Sequence, residues 1–158
     1  MSLEKVKEYF KKYDMDDKII EFNDSSATVK DAALRLNCED ELIAKTLSFK
    51  VDDKVILIVL SGNVKIDNSK YKQIFHTKAK MLSFDEVEEL IGHKVGGVCP
   101  FAINNNIDVY LDESLKKYEY VYPACGSANS AIKLTIMELE KYSNYKSWID
   151  VSKLIESD

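Results

Sequence analysis

The chain has 158 residues, 46% of them hydrophobic, and a formal net charge of −5. This length suits one domain with a sizeable core, and the negative charge argues against broad, sequence-blind binding of nucleic acids. Arg35 is the only arginine, which nearly excludes the bidentate arginine readout of base edges. Lysines can still contact phosphates, so any RNA contact is expected through a small patch or with the help of a partner.

Cysteine and histidine content narrows the class of protein further. The three cysteines, Cys38, Cys99 and Cys125, have no CxxC spacing, and an odd number fits reduced thiols better than a disulfide framework. His76 and His93 are the only histidines, so no zinc site or other metal is expected. The sequence has no apolar run long enough to span a membrane, and its N-terminus is too charged for a signal peptide. We therefore expect a cytoplasmic protein.

Hydrophobic periodicity predicts the elements of the first half of the chain. Asn23–Ser26 supplies turn and N-cap residues, and Asp52-Asp53 marks a hairpin turn. Helices are predicted over residues 3–13, 28–37 and 69–75, the last with Tyr71, Ile74 and Phe75 inward, and strands over residues 19–22, 43–51, 55–60 and 79–82. The strand over residues 55–60 is apolar on both faces, which is typical of a central strand covered on both sides.

Two capping boxes organise the second half. Ser83 and Glu86 open a helix whose apolar stripe is Phe84, Val87, Leu90 and Ile91, and which ends at Gly92. Thr135 and Glu138 open a helix that runs to about residue 142. Asp112 caps a short helix over residues 115–117, and strands are predicted over residues 107–111, 118–122, 131–134 and 148–151. Short helices interleaved with strands predict a single mixed α/β or α+β domain over residues 1–158, built around a curved sheet.

The predicted strand Ile43–Val51 carries an unusual residue. Every second residue from Ile43 shares one face, and that face is apolar except at Lys45. A lysine on an apolar face costs free energy unless it is paired or reaches water, and lysines with perturbed pKa values cluster at functional sites. Lys45 is therefore either a structural lysine that extends to water near the strand end or a functional group.

The segment His93–Phe101 is a second candidate for function. The adjacent glycines Gly96 and Gly97 let the backbone approach a ligand closely and adopt positive φ, and Pro100 limits the residue before it to extended conformations. The pattern predicts a fixed loop whose outward N–H groups can hold a carbonyl or an oxyanion. The same residues also describe an ordinary tight loop.

Cys99 offers an alternative chemistry within this segment. A cysteine nucleophile needs a base, which here would be His93 or His76, and the sequence alone does not place either histidine beside the thiol. Cys38 and Cys125 are expected to be small packing residues.

Several of these segments occur in the order of a known family. They are the helix start Ser26–Leu34, the strand residues Ile43–Leu47, Val55–Gly62 with Asp67, Gly92, Val95–Phe101, Val109–Leu115, Gly126–Asn129 and Leu134–Thr135. Over about residues 20–142, the chain resembles the YbaK/EbsC family, which is related to the editing domain inserted in bacterial prolyl-tRNA synthetases. Each motif alone is weak, whereas the ordered series is specific.

The resemblance implies a fold, an activity and a set of site residues. The fold is a curved, barrel-like mixed sheet flanked by short helices. The activity is hydrolysis, without a metal or other cofactor, of the ester that links a wrong amino acid to the 3′ end of a tRNA, usually tRNA(Pro). Lys45 corresponds to the family's functional lysine. The substrate-binding positions correspond to Gly96, Gly97, Val98 and Pro100 in the glycine-rich loop, to Gly126, Ser127 and Asn129 in a later turn, and, by position, to Thr28.

The resemblance favours the functional interpretation of Lys45. In this hypothesis Lys45 binds the acceptor end or polarises the ester, and the N–H groups of Gly96–Val98 hold the aminoacyl group and the developing oxyanion. Water or the substrate's own side chain then attacks. The expected substrate is a mischarged tRNA, with tRNA(Pro) carrying cysteine, alanine or another small amino acid.

Three positions depart from the family pattern. Ala102 stands where many relatives have glycine, Ala131 where some Cys-tRNA(Pro) deacylases have an acidic residue, and Ala124 in place of a serine there. These departures put cysteine in doubt as the amino acid removed and leave alanine, serine and threonine.

Two rival hypotheses remain. One is a non-catalytic module of the same fold that binds aminoacyl-tRNA or a nucleotide, and the other is a thiol enzyme centred on Cys99. The acidic composition predicts weak affinity for tRNA alone, so prolyl-tRNA synthetase or an elongation factor is an expected partner. The sequence does not predict the oligomeric state.

Overall fold

The computed structural model describes residues 2–24 and 28–155. The strands in chain order are β1 (Ile19–Glu21), β2 (Ile43–Val51), β3 (Lys54–Ser61), β4 (Val64–Ile66), β5 (Asp108–Asp112), β6 (Tyr120–Pro123), β7 (Ser130–Ile132), β8 (Leu134–Thr135), β9 (Ser147–Ile149) and β10 (Ser152–Leu154). Six of them form a curled mixed sheet in the order β8-β6-β2-β3-β5-β9, and two short ribbons pair β1 with β7 and β10 with β4. This arrangement confirms the predicted mixed α+β fold with a curved sheet.

Five α-helices in the described part of the chain flank the sheet. They are α1 (Ser2–Lys11), α2 (Val29–Leu36), α3 (Asn68–Phe75), α4 (Phe84–Ile91) and α5 (Ile136–Ser143). Both predicted capping boxes are present, at Ser83 of α4 and Thr135 of α5, and Gly92 ends α4 with φ 98°. None of these helices is long and apolar enough to cross a membrane.

The hairpin of β2 and β3 is the centre of the fold. Asp52 turns the chain with φ 55°, and the antiparallel register pairs Lys45 with Leu60. Side chains of β2 alternate between two buried clusters, with Phe49 in one and Ala44 in the other. Residues of β3 are buried on both faces, which confirms the prediction of a central, doubly covered strand.

The structure corrects two predicted inward faces. Ile74 is 37% exposed because α3 buries only the narrow stripe that contains Tyr71 and Phe75. Phe84 is 76% exposed, while Val87 and Ile91 of the same helix are buried. Phe84 is the first residue of α4, so it lies beyond the part of the helix that packs on the sheet.

Several predicted strand ends are also corrected. Residues 79–82 form one isolated bridge, between Phe49 and Met81, in place of a strand. The predicted strand 131–134 divides into β7 and β8, and residues 148–151 divide between β9 and the segment before β10, because the chain changes partner at each point. The N-cap of α2 is Thr28, whereas the proposed cap residues Ser25 and Ser26 lie outside the described residues.

Candidate active site

A cavity of about 430 Å³ opens along the outer edge of β2. Parallel pairing with β6 ends at Ala44 and Pro123. The next backbone contacts on this edge run from Leu82 N–H to the Ser48 carbonyl (3.2 Å) and from Lys50 N–H to the Lys80 carbonyl (2.9 Å). Only every second residue of a strand directs its backbone N–H and carbonyl groups to a given edge. On this edge of β2, the residue between the part paired with β6 and the part paired with residues 80–82 is Thr46. The gap in backbone pairing at Thr46 is the floor of the cavity.

The walls of the cavity come from five parts of the chain. They are α2, the first residues of β2, the start of α4, the glycine loop at residues 95–98 and the segment from the end of β6 to β7. The lining residues are Thr28, Val29, Ala32, Leu36, Ile43, Ala44, Lys45, Thr46, Leu47, Ser48, Met81, Leu82, Phe84, Val87, Val95, Gly96, Val98, Tyr122, Ala124, Ser127, Ser130 and Ala131. The volume is that of a small-molecule site.

Lys45 is the charged side chain of this lining, and it is half-buried. Its Nζ donates hydrogen bonds to the Val64 carbonyl and to the Gly62 carbonyl, the latter at 3.5 Å. Burial lowers the pKa of the Lys45 ammonium because a low-dielectric environment disfavours the charged form. No carboxylate within residues 2–24 and 28–155 pairs with it, so carbonyl dipoles alone hold the charge in the site.

The turn between β3 and β4 fixes the carbonyls that hold Lys45. A Cβ atom on Gly62 would lie 2.1 Å from the Asp40 carbonyl oxygen and 2.7 Å from a Val29 methyl carbon, so only glycine fits there. Ser61 Oγ lies 2.7 Å from the Glu41 carbonyl oxygen and 3.0 Å from Asn63 Oδ1. This packing gives the ammonium a fixed location at the edge of the cavity.

The glycine loop packs directly against the later turn at residues 126–127. A Cβ atom on Gly97 would lie 2.6 Å from the Gly126 carbonyl carbon and from the Ser127 nitrogen. Gly96 has φ 93° and would place a Cβ atom 3.4 Å from Ala128 Cβ. The sequence predicted a fixed loop, and backbone contact between the two segments is what fixes it.

The loop supplies fewer free donors than the sequence predicted. Gly97 N–H donates to the Lys94 carbonyl at 3.0 Å, because residues 94–97 form a tight turn. Its N–H is therefore not available to an oxyanion. No acceptor within the described residues receives the N–H of Gly96 or Val98, and both residues line the cavity.

Polar side chains of the turn at residues 127–130 bond to each other. Ser127 Oγ lies 2.8 Å from Asn129 Oδ1 and 2.7 Å from Ser130 Oγ. Asn129 also donates its side-chain N–H to the Phe22 carbonyl at 3.1 Å, which ties the turn to the end of β1. Ser127 and Ser130 face the cavity, and Asn129 supports them from behind.

The cavity thus brings together five of the sequence-predicted site residues: Lys45, Gly96, Val98, Ser127 and Thr28. Thr28 also caps α2 by accepting the Asp31 N–H. The other four lie behind the wall and do not line it: Gly97, Pro100, Gly126 and Asn129. Gly97 and Gly126 allow the close backbone contact described above, and Pro100 is buried.

His93 and Cys99 meet inside the core, away from the cavity lining. Cys99 Sγ lies 3.5 Å from His93 Nε2, and the same nitrogen lies 2.6 Å from the Phe101 carbonyl oxygen. Both side chains have no exposed surface. Burial raises the pKa of the Cys99 thiol to about 12, and burial, partly opposed by the hydrogen bond to Phe101, lowers the pKa of His93.

This geometry does not make an activated thiol. A neutral His93 that donates Nε2–H to the Phe101 carbonyl has no lone pair on that nitrogen to take the proton of Cys99. The other ring nitrogen, Nδ1, is buried without a partner. A buried thiol with a raised pKa is inert at neutral pH.

Sequence reasoning missed several lining residues. Thr46 is the most notable, because its Oγ1 is buried without a hydrogen-bond partner at the open edge of β2. Tyr122, Met81 and Phe84 also line the cavity. Strand periodicity gives the face of each residue but not the edge at which pairing stops, so no signal in the sequence marked the gap at Thr46.

The lining restricts the chemistry that this cavity can perform. Its side chains, all in the described part of the chain, include no carboxylate, histidine or cysteine. No group of three or more potential metal ligands is clustered within the described residues. The available groups are the Lys45 ammonium, hydroxyl groups and backbone N–H donors, which can bind and polarise a carbonyl in a mostly apolar surrounding.

Comparison with known proteins gives consistent matches. Residues 24–142 match the family model of the aminoacyl-tRNA editing domain. The uncharacterized protein YwhH of Bacillus subtilis (strain 168) is 51% identical over 154 residues, which are 97% of this chain and 98% of that protein. A proline--tRNA ligase of Bacillus cereus (strain AH820) is 27% identical over 102 residues, and the match covers 64% of this chain and 18% of the ligase.

A solved structure extends the match to the fold. It is a crystal structure described as that of a candidate trans-editing enzyme for prolyl tRNA synthetase. It aligns with a TM-score of 0.86 at 27% sequence identity, over 96% of this chain and 97% of that one.

Proposed function

The chain belongs to the family of aminoacyl-tRNA editing domains, and from this premise we propose that it is a hydrolase acting in trans on mischarged tRNA. The bond cleaved is the ester between a wrong amino acid and the 3′ end of the tRNA. The observation that supports the proposal is the Lys45 cavity: a half-buried ammonium and the unpaired N–H groups of Gly96 and Val98 belong to the lining of one pocket that is open to solvent.

In the proposed site, Lys45 and the glycine loop bind different oxygen atoms of the aminoacylated acceptor end. The ammonium of Lys45 attracts the electron-rich ester or a neighbouring oxygen of the acceptor end. The N–H groups of Gly96 and Val98 are directed to the carbonyl oxygen, where negative charge develops during attack. Loss of one such donor costs about 10²–10³ in rate in other hydrolases, so a site without a protein nucleophile can still accelerate the reaction.

The attacking group comes from outside the protein in this proposal. The lining contains no carboxylate or histidine to act as a general base, and Cys99 is sealed in the core. A water molecule, or a nucleophilic group of the substrate itself, attacks the ester carbonyl. When water attacks, the bond between the carbonyl carbon and the ribose oxygen breaks, a proton of the water passes to that oxygen, and the free amino acid and intact tRNA are the products. When a hydroxyl or thiol of the substrate's side chain attacks, its proton passes to the ribose oxygen and the first product is a cyclic ester or thioester, a route that alanine does not offer.

The apolar wall of the cavity favours a small aliphatic amino acid. Ala124 and Ala131 form a backbone bridge and both line the cavity, at the positions where the sequence departs from some Cys-tRNA(Pro) deacylases. Small side chains there give no polar partner to a thiol. We therefore place alanine first among the candidates, on tRNA(Pro), with serine and threonine next. One methylene changes binding by only about 1–3 kcal/mol, so a related amino acid is expected to react more slowly.

The proposed setting is the cytoplasm, where the partner is tRNA in complex with another protein. The chain has a net charge of −5, which opposes tight binding to the phosphate backbone. Delivery by prolyl-tRNA synthetase or an elongation factor would remove the need for a large basic surface.

A binding module without turnover is the second candidate. The absence of a carboxylate, histidine or cysteine from the described lining is the observation that favours it. Such a module would hold an aminoacyl-tRNA or a nucleotide in the same cavity and leave the ester intact.

Deacylation assays separate these two functions. tRNA(Pro) charged separately with cysteine, alanine, serine, threonine and proline is incubated with wild type, Lys45→Ala and the control Lys65→Ala, which removes an exposed lysine of β4. Editing predicts release of a wrong amino acid by wild type and Lys65→Ala, and its loss in a folded Lys45→Ala. Binding of the charged tRNA without release from any of them would support the module.

A further inference from the structure

Exposed apolar side chains concentrate at the mouth of the Lys45 cavity. Met81 is 56% exposed, Phe84 is 76% exposed and Val95 is 45% exposed, and all three line the cavity. Exposed apolar groups that are contiguous with a pocket mark a binding surface more often than scattered ones do. Phe84 is the aromatic member, and its ring is largely free of protein contacts.

The capping box at the start of α4 fixes the backbone from which Phe84 extends. Ser83 N–H donates to Glu86 Oε1 at 2.9 Å, and Glu86 N–H donates to Ser83 Oγ at 3.3 Å. Lys50 Nζ lies 3.2 Å from Glu86 Oε2, which ties the helix start to β2. Leu82 and Val87, the residues on either side of this first turn, are buried in the same cluster, as in a hydrophobic staple.

The charged residues that precede and follow Phe84 in the chain indicate which part of a nucleotide can bind over its ring. Asp85, Glu88 and Glu89 follow it on α4 and are exposed, so a phosphate directly over the ring would be repelled. Lys78 and Lys80 precede it, are exposed, and pair with no carboxylate in the described part of the chain. The ring thus suits an uncharged planar group, with phosphates on the side of the two lysines.

We propose that Phe84, with Met81 of the same cavity lining, is a stacking platform for a nucleobase, namely the terminal adenine of the aminoacylated acceptor end. This inference rests on the proposed function, which puts the aminoacyl ester next to Lys45 in the same cavity. Aromatic side chains stack on any base face, and a single stacking contact changes affinity by about 5- to 150-fold. The platform gives an acidic protein a way to hold the end of a tRNA with few phosphate contacts.

Binding of a non-hydrolysable probe tests the platform directly. The probe is 3′-alanylamino-3′-deoxyadenosine, in which an amide replaces the ester, and its Kd is measured by NMR titration. Phe84→Ala and Phe84→Leu are expected to raise the Kd about tenfold or more, whereas Phe84→Trp keeps it near that of wild type. Met137→Ala is the matched control, because Met137 is an 80% exposed residue in the first turn of α5 and does not line the cavity.

Deacylation kinetics separate failure of the platform from failure of the proposed function. The platform predicts that Phe84→Ala raises KM with kcat largely unchanged. Wild-type binding and kinetics in Phe84→Ala, or full rescue by Phe84→Leu, would overturn the platform and leave the editing function intact. A wild type that neither binds the probe nor deacylates any mischarged tRNA would overturn both. If the wild type sediments as a dimer, and Phe84→Ala dissociates this dimer without changing the affinity for the probe, the exposed apolar residues serve self-association and the platform is overturned.

Discussion

One loop, His93–Phe101, takes part in two very different environments. Its middle residues, Val95, Gly96 and Val98, line an open cavity next to Lys45. Its ends, His93 and Cys99, lie side by side in the core with no exposed surface. The pair with the more familiar catalytic residue types is the one that substrate cannot reach.

The difference shows that access and protonation decide which groups can react. Burial raises the pKa of Cys99 to about 12 and lowers the pKa of His93, so both groups stay neutral and unreactive. Lys45 is also partly desolvated, but two carbonyls bind its ammonium at the edge of a solvent-connected pocket.

The largest expected effect is on thiol reactivity. In the folded protein at pH 8, alkylation of Cys99 by iodoacetamide should be slower than that of an ordinary thiol by about 10³-fold, because a pKa of about 12 leaves few thiolates. Cys38 is half-buried and burial, together with Asp40 and Glu39, also raises its pKa, so the reference rate in peptide mass spectrometry is that of the same cysteines in the urea-unfolded chain. Rapid labelling of Cys99, with parallel loss of deacylation, would show that the thiol is accessible and takes part in the reaction.

The two glycines of the loop should differ strongly when each is replaced by alanine. Gly97→Ala puts a methyl group 2.6 Å from backbone atoms of residues 126 and 127, and we expect a loss of about 3 kcal/mol in the free energy of unfolding. Gly96→Ala meets only Ala128 Cβ at 3.4 Å but keeps φ 93°, which costs about 1–2 kcal/mol. Urea denaturation measures both, and equal losses would contradict the close packing of the two segments.

The smallest expected effect is the pH dependence due to His93. Burial lowers the pKa of His93 in the folded state. At a pH below the pKa of about 6.5 that a histidine has in the unfolded chain, the unfolded state therefore binds a proton at this residue that the folded state does not bind. The free energy of unfolding should therefore fall as pH drops below about 6.5, by at most about 1.4 kcal/mol per pH unit. His93→Gln should flatten this fall between pH 7.5 and 5.5. An identical slope in His93→Gln and wild type would contradict burial of a neutral histidine.

Much of the fold followed from local sequence patterns. The limits of β2, the two capping boxes and the glycine at the end of α4 agree with prediction because each depends on residues close in the chain. Edges and partner changes did not follow in the same way. The predicted strand 131–134 is divided because its first residues pair with β1 and its last residue pairs with β6. No local sequence pattern indicates this change of partner.

The site was predicted in part. Strand periodicity showed that Lys45 is the one charged residue on an otherwise apolar strand face. The order of the motifs along the chain predicted that Lys45 and the glycine loop belong to the same site. The periodicity could not show that Thr46 lies at a gap in pairing, or that Phe84 extends into solvent beside the cavity, because both depend on packing between distant segments. The loop N–H of Gly97 was assigned to substrate, although its bond to Lys94 removes it from that role.

The proposed mechanism puts hydrolysis in the cavity of Lys45 and not at the buried thiol. The most direct measurement is the single-turnover rate of deacylation of Ala-tRNA(Pro) by Lys45→Met and Cys99→Ala, each confirmed to be folded by its urea transition. We expect Lys45→Met to lose about 10²–10³ in rate and Cys99→Ala to stay close to wild type. Retention of the rate in Lys45→Met, together with its loss in Cys99→Ala, would contradict hydrolysis in the Lys45 cavity.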